Sequence, residues 1–274
     1  MTKLKGTISH RSRTARVLRG ARFGAFYALA GLLTLFLSFE VIAHLTQDTP
    51  VLTKWAPPHH IHALAHAVVT AILIPAVGSQ LHPRVRRIVG LQILLLVALG
   101  GLVVSLIAMR GFSGLAFPVF NFTLYSIVGL LILSLHPERG RIFEHGRVSP
   151  RLALLALAGL IPVTGYAVAE IGKQWSGFEP FHGGHWALMA ATAVVLVVVA
   201  GLAAIAAEGR RLATWTAGLG AGLLGVGSLA IPSEASTFGI VGGLMALLWG
   251  SAFIALGEFG RSRLPADQRT IGAT

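Results

Sequence analysis

The chain contains no cysteine. Disulfides, thiolate-ligated metals and iron–sulfur clusters are therefore excluded. Charge is scarce as well: Asp, Glu, Lys and Arg make up 12% of the 274 residues, against roughly 25% in soluble domains. Only 10 residues are acidic. No glycine-rich phosphate loop, His-Glu-x-x-His helix or nucleophile elbow occurs, so the chemistries those motifs carry have no anchor here. No lysine lies mid-span, where a retinal Schiff base would need one.

What is present is apolar, at 54% of the chain, and arranged in long runs. The sequence holds 22 Lys and Arg. All but Lys54, Arg110 and Lys173 fall in five clusters: Lys3 to Arg22, Arg84 to Arg87, Arg139 to Arg151, Arg210 to Arg211 and Arg261 to Arg269. Two apolar stretches of ~20 residues separate each cluster from the next, each long enough to cross a ~30 Å hydrocarbon core as a helix. Cationic loops stay on the cytoplasmic side during insertion. The pattern predicts an all-α integral membrane protein with eight transmembrane helices and both termini cytoplasmic. The expected spans are 23–45, 60–80, 88–109, 115–135, 152–172, 185–207, 212–231 and 237–257.

A net charge of +12 suggests nucleic acid in a soluble protein. Here the positive residues sit at membrane boundaries, so anionic lipid headgroups are the expected partners and nucleic acid is not. Residues 1–22 are basic and lack acids, as transit peptides do. They run straight into a full-length span without a small-residue cleavage site, which favours a basic cytoplasmic tail on a bacterial inner-membrane protein. The 33 glycines suit close helix–helix contact in lipid, and Gly218 to Gly227 in particular should form packing faces.

The chain also reads as duplicated, with repeats at 23–138 and 152–258 joined by a basic linker at 139–151 and followed by a tail at 259–274. Ala28-Leu29-Ala30-Gly31-Leu32 recurs as Ala156-Leu157-Ala158-Gly159-Leu160. An acid lies near the outer end of that span in each half, as Glu40 and Glu170. Proline and a histidine pair three apart open the next span twice, as Pro58, His59 and His62, then Pro180, His182 and His185. A repeat of four spans preserves orientation, so a 4+4 parallel repeat about an axis along the membrane normal is expected. Chance similarity among low-complexity apolar segments is the competing explanation.

Ionisable residues inside spans are costly and usually functional. By the topology above, Glu40, His44, His59, His62, His66, Glu170, His182 and His185 all fall on the extracytoplasmic side. His59, His62 and His66 share one helical face at i, i+3, i+7, and Glu40 and His44 lie four apart on another helix. His66 should sit roughly 10 Å deeper than His59. If the first two spans pack as a hairpin, Glu40, His44, His59, His62 and His66 converge on one outer pocket. That ligand set suits Zn, Fe, Mn or Cu(II), or a haem held by His44 and His66. Glu40 would serve as ligand or proton acceptor. The second half keeps Glu170, His182 and His185 but has Met189 where the first half has His66, as in a degenerate partner or lid. Interfacial anchoring is the alternative for His59 and His62. Asn121, Thr123 and Tyr125 on the fourth span read as interhelical hydrogen-bonding residues.

Three functions compete. The first is a metal- or haem-binding membrane protein acting in redox or lipid-substrate chemistry, with a lipid, quinone or other apolar substrate entering laterally. The second is a proton-coupled small-molecule transporter, suggested by the repeat. The third is a non-catalytic subunit of a membrane complex, whose Gly/Ala faces bind neighbouring helices.

Overall fold

The computed structural model describes residues 3–45, 60–82, 88–110, 117–176, 184–206 and 208–262, with side chains described for 17–43, 63–82, 88–110, 118–176, 184–206 and 208–259. They form eight α-helices: α1 Lys3–Leu45, α2 His60–Gly78, α3 Ile88–Ala108, α4 Phe117–Leu135, α5 Pro150–Ser176, α6 His185–Ile205, α7 Arg210–Ala230 and α8 Gly239–Ser262. A single 3-10 turn, Arg139–Arg141, follows α4. Seven of these helices are long and apolar enough to cross a membrane. In α2 the apolar stretch among described side chains is Ala63–Gly78, which is shorter. The architecture fits a multi-pass helical membrane protein. Its spans follow the expected ones to within a few residues, apart from α1. There the basic tail expected at 1–22 is helical from Lys3 onward and continuous with the first span.

Apolar residues facing outward are what a lipid-solvated bundle presents. On α1, Leu32, Leu35, Phe36, Phe39 and Ile42 are exposed, while Phe26, Ala30, Leu33 and Leu37 recur every three or four residues and are buried. The interior belongs to α6, where Trp186 to Ala204 is buried almost throughout. That helix carries no Asp, Glu, Lys or Arg and is built mostly from Ala, Val and Leu.

The helices close into two groups. In one, α1 touches α2, α2 touches α3, α3 touches α4 and α4 returns to α1; in the other, α5 to α8 are joined in the same order, with α5 returning to α8. The groups meet where α2 and α3 pack on α6 and α7. Hydrogen bonds place the start of α3, α5 and α7, the end of α2, α4, α6 and α8, and Arg22 of α1 on one face. This is called the basic face, because Arg19, Arg22, Arg139, Arg141, Arg147, Arg151, Arg210 and Arg211 lie there. Arg110 and Lys173 lie on the far face, at the ends of α3 and α5.

Two devices hold the helices in register. The Arg22 guanidinium donates to the carbonyls of Ser134, Leu135 and His136 at 3.0–3.1 Å, satisfying the orphan acceptors at the end of α4 with a cation that its dipole favours. Behind it, His136 is fully buried: Nδ1 accepts the Glu138 backbone N–H at 3.0 Å and Nε2 lies 3.1 Å from Gln80 Oε1. The imidazole is thus neutral and protonated on Nε2.

Glycine permits the close approach of α7 and α8. A Cβ on Gly225 would lie 2.8 Å from the Gly243 carbonyl oxygen and 3.0 Å from the Leu247 nitrogen. The expected packing role of Gly218 to Gly227 thus holds at Gly218 and Gly225, which face α8 backbone, while a Cβ on Gly222 meets nothing within 4 Å. Gly225→Ala should therefore cost about 1–3 kcal/mol by forcing backbone apart, whereas Gly222→Ala should be neutral or slightly stabilising. Thermal midpoints of the two variants in detergent check the contrast; equal midpoints would mean that α7 and α8 are not in backbone contact.

Candidate functional site

The buried stripe of α1 ends on an acid. Three residues beyond Leu37, the same face presents Glu40, half-buried between α1 and its neighbours. The partner comes from α4, where Asn121 and Tyr125, four apart and both buried, project from one side of the helix. The Tyr125 hydroxyl donates to Glu40 Oε2 at 2.5 Å, the length of a charge-assisted O–H···O bond. One turn away, the Asn121 amide lies 3.1 Å from Nε2 of His66 on α2. His66 is 3% exposed, and Thr70 one turn on donates to its carbonyl at 2.8 Å.

A carboxylate from α1 and an imidazole from α2 are thus oriented by successive turns of a third helix. The expected hairpin packing of α1 on α2 is present, and α4 holds the Glu40 carboxylate and the His66 imidazole through two side chains four residues apart. With the amide NH2 toward Nε2, the imidazole accepts there and carries its proton on Nδ1. Rotating the amide by 180° presents Oδ1 instead, and Nε2–H then becomes the donor. In that arrangement Nδ1 is the nitrogen through which His66 would reach a metal.

The side chains of His44 and His62, and all of His59 and His182, lie outside the described residues. Among the described residues no group of three or more His, Asp or Glu is placed to hold a metal ion.

The second-half acid has a different setting. Glu170, on α5, is 1% exposed and each carboxylate oxygen accepts one bond: Lys173 Nζ donates to Oε1 at 2.7 Å and Ser236 Oγ to Oε2 at 2.5 Å. The Lys173 ammonium also lies 4.9 Å from the centre of the Trp186 ring. Tyr166, one turn before Glu170, donates to the Ser236 carbonyl at 2.7 Å and packs edge-on against Phe238. Ser236 adopts a left-handed backbone, φ 71°, in the α7–α8 connection, which turns its hydroxyl into reach. A buried carboxylate with a countercharge and a second donor is a structural ion pair. His185 opens α6, half-buried, after Gly184 at φ 96°. Met189 is core packing, 1% exposed.

No family model, curated protein or solved structure matches this chain. Its chemistry is read from its own geometry. Ser236 and Tyr166 were not foreseeable, since no periodicity marks a loop serine as a partner of a helix acid. Asn121 and Tyr125 carried a signal: two polar side chains four apart in an otherwise apolar span face one way.

Proposed function

We propose that the chain is a bacterial inner-membrane protein with both termini cytoplasmic, working through an extracytoplasmic-side His/Glu site. At that site it binds a transition metal (Fe, Cu or Zn) or haem for redox or lipid-substrate chemistry. His66 is a ligand, and Glu40 is a ligand or proton acceptor. The basic face is the cytoplasmic one, because retained loops are rich in Arg and Lys. One observation carries the reading: Tyr125 and Asn121 each hold one of the two candidate donors by hydrogen bond, and metal ligands are held by just such supporting bonds. His44, His59 and His62 would complete the set, and a lipid or quinone would enter laterally between α1 and α4.

Elemental analysis and the visible spectrum of detergent-purified protein test it. Stoichiometric metal or a haem band is expected; colourless, metal-free protein that keeps its activity rejects the reading.

A proton-coupled carrier is the second reading, favoured by the contact pattern. The closed order α1 to α4 repeats in α5 to α8, and α2 on α7 mirrors α6 on α3, as a 4+4 parallel repeat requires. Glu40 and Glu170 each also bond a hydroxyl from the last quarter of their half, Tyr125 and Ser236 respectively. In proteoliposomes, Glu40→Gln should then abolish proton-coupled uptake by protein free of metal. Undiminished uptake would exclude Glu40 as the coupling group.

A further inference from the structure

The connection between α4 and α5 is a pinned strap on the basic face. Its Gly146 and Ser149 N–H groups donate to the carbonyls of Ile205 and Ala204, both at 2.8 Å. Those are orphan acceptors at the end of α6. Arg210 of α7 donates to the Arg147 carbonyl at 2.6 Å, and Gln92 of α3 to the Ile142 carbonyl at 2.8 Å. The strap therefore touches α3 of the first group and both α6 and α7 of the second.

One guanidinium gathers the charges around it. Arg141 pairs with Glu138 at 2.9 Å, Glu144 at 2.8 Å and Glu208 at 3.0 Å. Glu138 leaves α4, whereas Glu208 lies in the α6–α7 turn, so the fork of Arg141 ties the two helix groups together. Three acids are a large share of the 10 in the chain, and basic residues dominate this face. On the far face the tie between α3 and α5 is lighter: Trp175 Nε1 donates to the Ile107 carbonyl at 3.3 Å, with the Arg110 guanidinium 5.2 Å from the Trp175 ring centre.

We propose that Arg141 is an ionic latch holding the two four-helix groups together at the basic face, so that their relative movement pivots there and opens the far face, where Glu40 and His66 lie. The latch stands whichever chemistry that site performs.

The absence of cysteine makes the test clean, because two introduced thiols are the sole labelling sites. Spin labels at Leu81→Cys, exposed in the turn after α2, and Ile205→Cys, exposed at the end of α6, report the basic face. Labels at Val103→Cys and Val168→Cys, exposed on α3 and α5, report the far face. Distances are measured by pulsed electron resonance in lipid nanodiscs. Arg141→Gln should raise the ratio of long to short basic-face distances about tenfold, the sum expected of a few exposed ion pairs. Raising salt from 0.1 to 1 M should act in the same direction. Arg139→Gln, whose guanidinium bonds the Ser134 carbonyl beside it, should change nothing. Glu208→Gln cuts only the link to the second group, and it gives the same reading if Arg141→Gln fails to fold. Unchanged basic-face distances in Glu208→Gln, or equal broadening on both faces, would overturn the latch.

Discussion

Under the proposed metal or haem site, replacing His66 by alanine is expected to leave the purified protein essentially without metal or haem. The variant loses the proposed ligand, and Asn121 of α4 loses its hydrogen-bond partner on α2. Asn121→Leu keeps the imidazole but frees its orientation, and should weaken metal affinity by roughly 10–100-fold. Tyr125→Phe should act in the same range on the Glu40 side, since it removes the hydroxyl 2.5 Å from the carboxylate. The three variants therefore form a graded series, with His66→Ala the most severe. Occupancy measured by elemental analysis, and affinity by competition with a chelator, check the order. Wild type and His66→Ala with equal metal content would remove His66 from the site. Because His66 is buried, thermal midpoints must be recorded alongside, so that loss of ligand is separated from loss of fold.

Most of the architecture was legible because a bilayer imposes a length and a charge rule on each span. The helices at Ile88–Ala108, Phe117–Leu135 and Gly239–Ser262 begin and end close to where apolar runs meet basic or polar residues. Helix α1 departs from this: Lys3 to Arg22 holds no proline, so nothing in the tail stops the helix from running on. The site was legible in part. Glu40 and His66 stood out because ionisable groups inside spans are costly, but their hydrogen-bond partners come from α4, which carries neither a histidine nor an acid. The strap was hidden for another reason. Backbone pairing between residues 146–149 and the end of α6 leaves no side-chain pattern, and the Arg141 cluster looks in sequence like any basic loop.

Glu170, which the sequence placed in a degenerate partner or lid, bonds Lys173, and the geometry of the pair predicts a stability effect. Lys173→Met removes the countercharge from a carboxylate that is 1% exposed, leaving Ser236 as its hydrogen-bond donor. Breaking one side of a buried pair costs about 3–5 kcal/mol. Because the Lys173 side chain is 40% exposed, about 2–3 kcal/mol is the expected loss here, including its contact with Trp186. The reverse change is milder. Glu170→Gln keeps an acceptor for Ser236 and leaves an ammonium that can turn toward the aqueous boundary. The double variant Glu170→Gln, Lys173→Met should therefore recover most of the stability lost in Lys173→Met, a coupling of the kind double-mutant cycles isolate. Thermal midpoints of the four proteins in one detergent decide it. A double variant less stable than Lys173→Met would mean that Glu170 is held as something other than half of an ion pair.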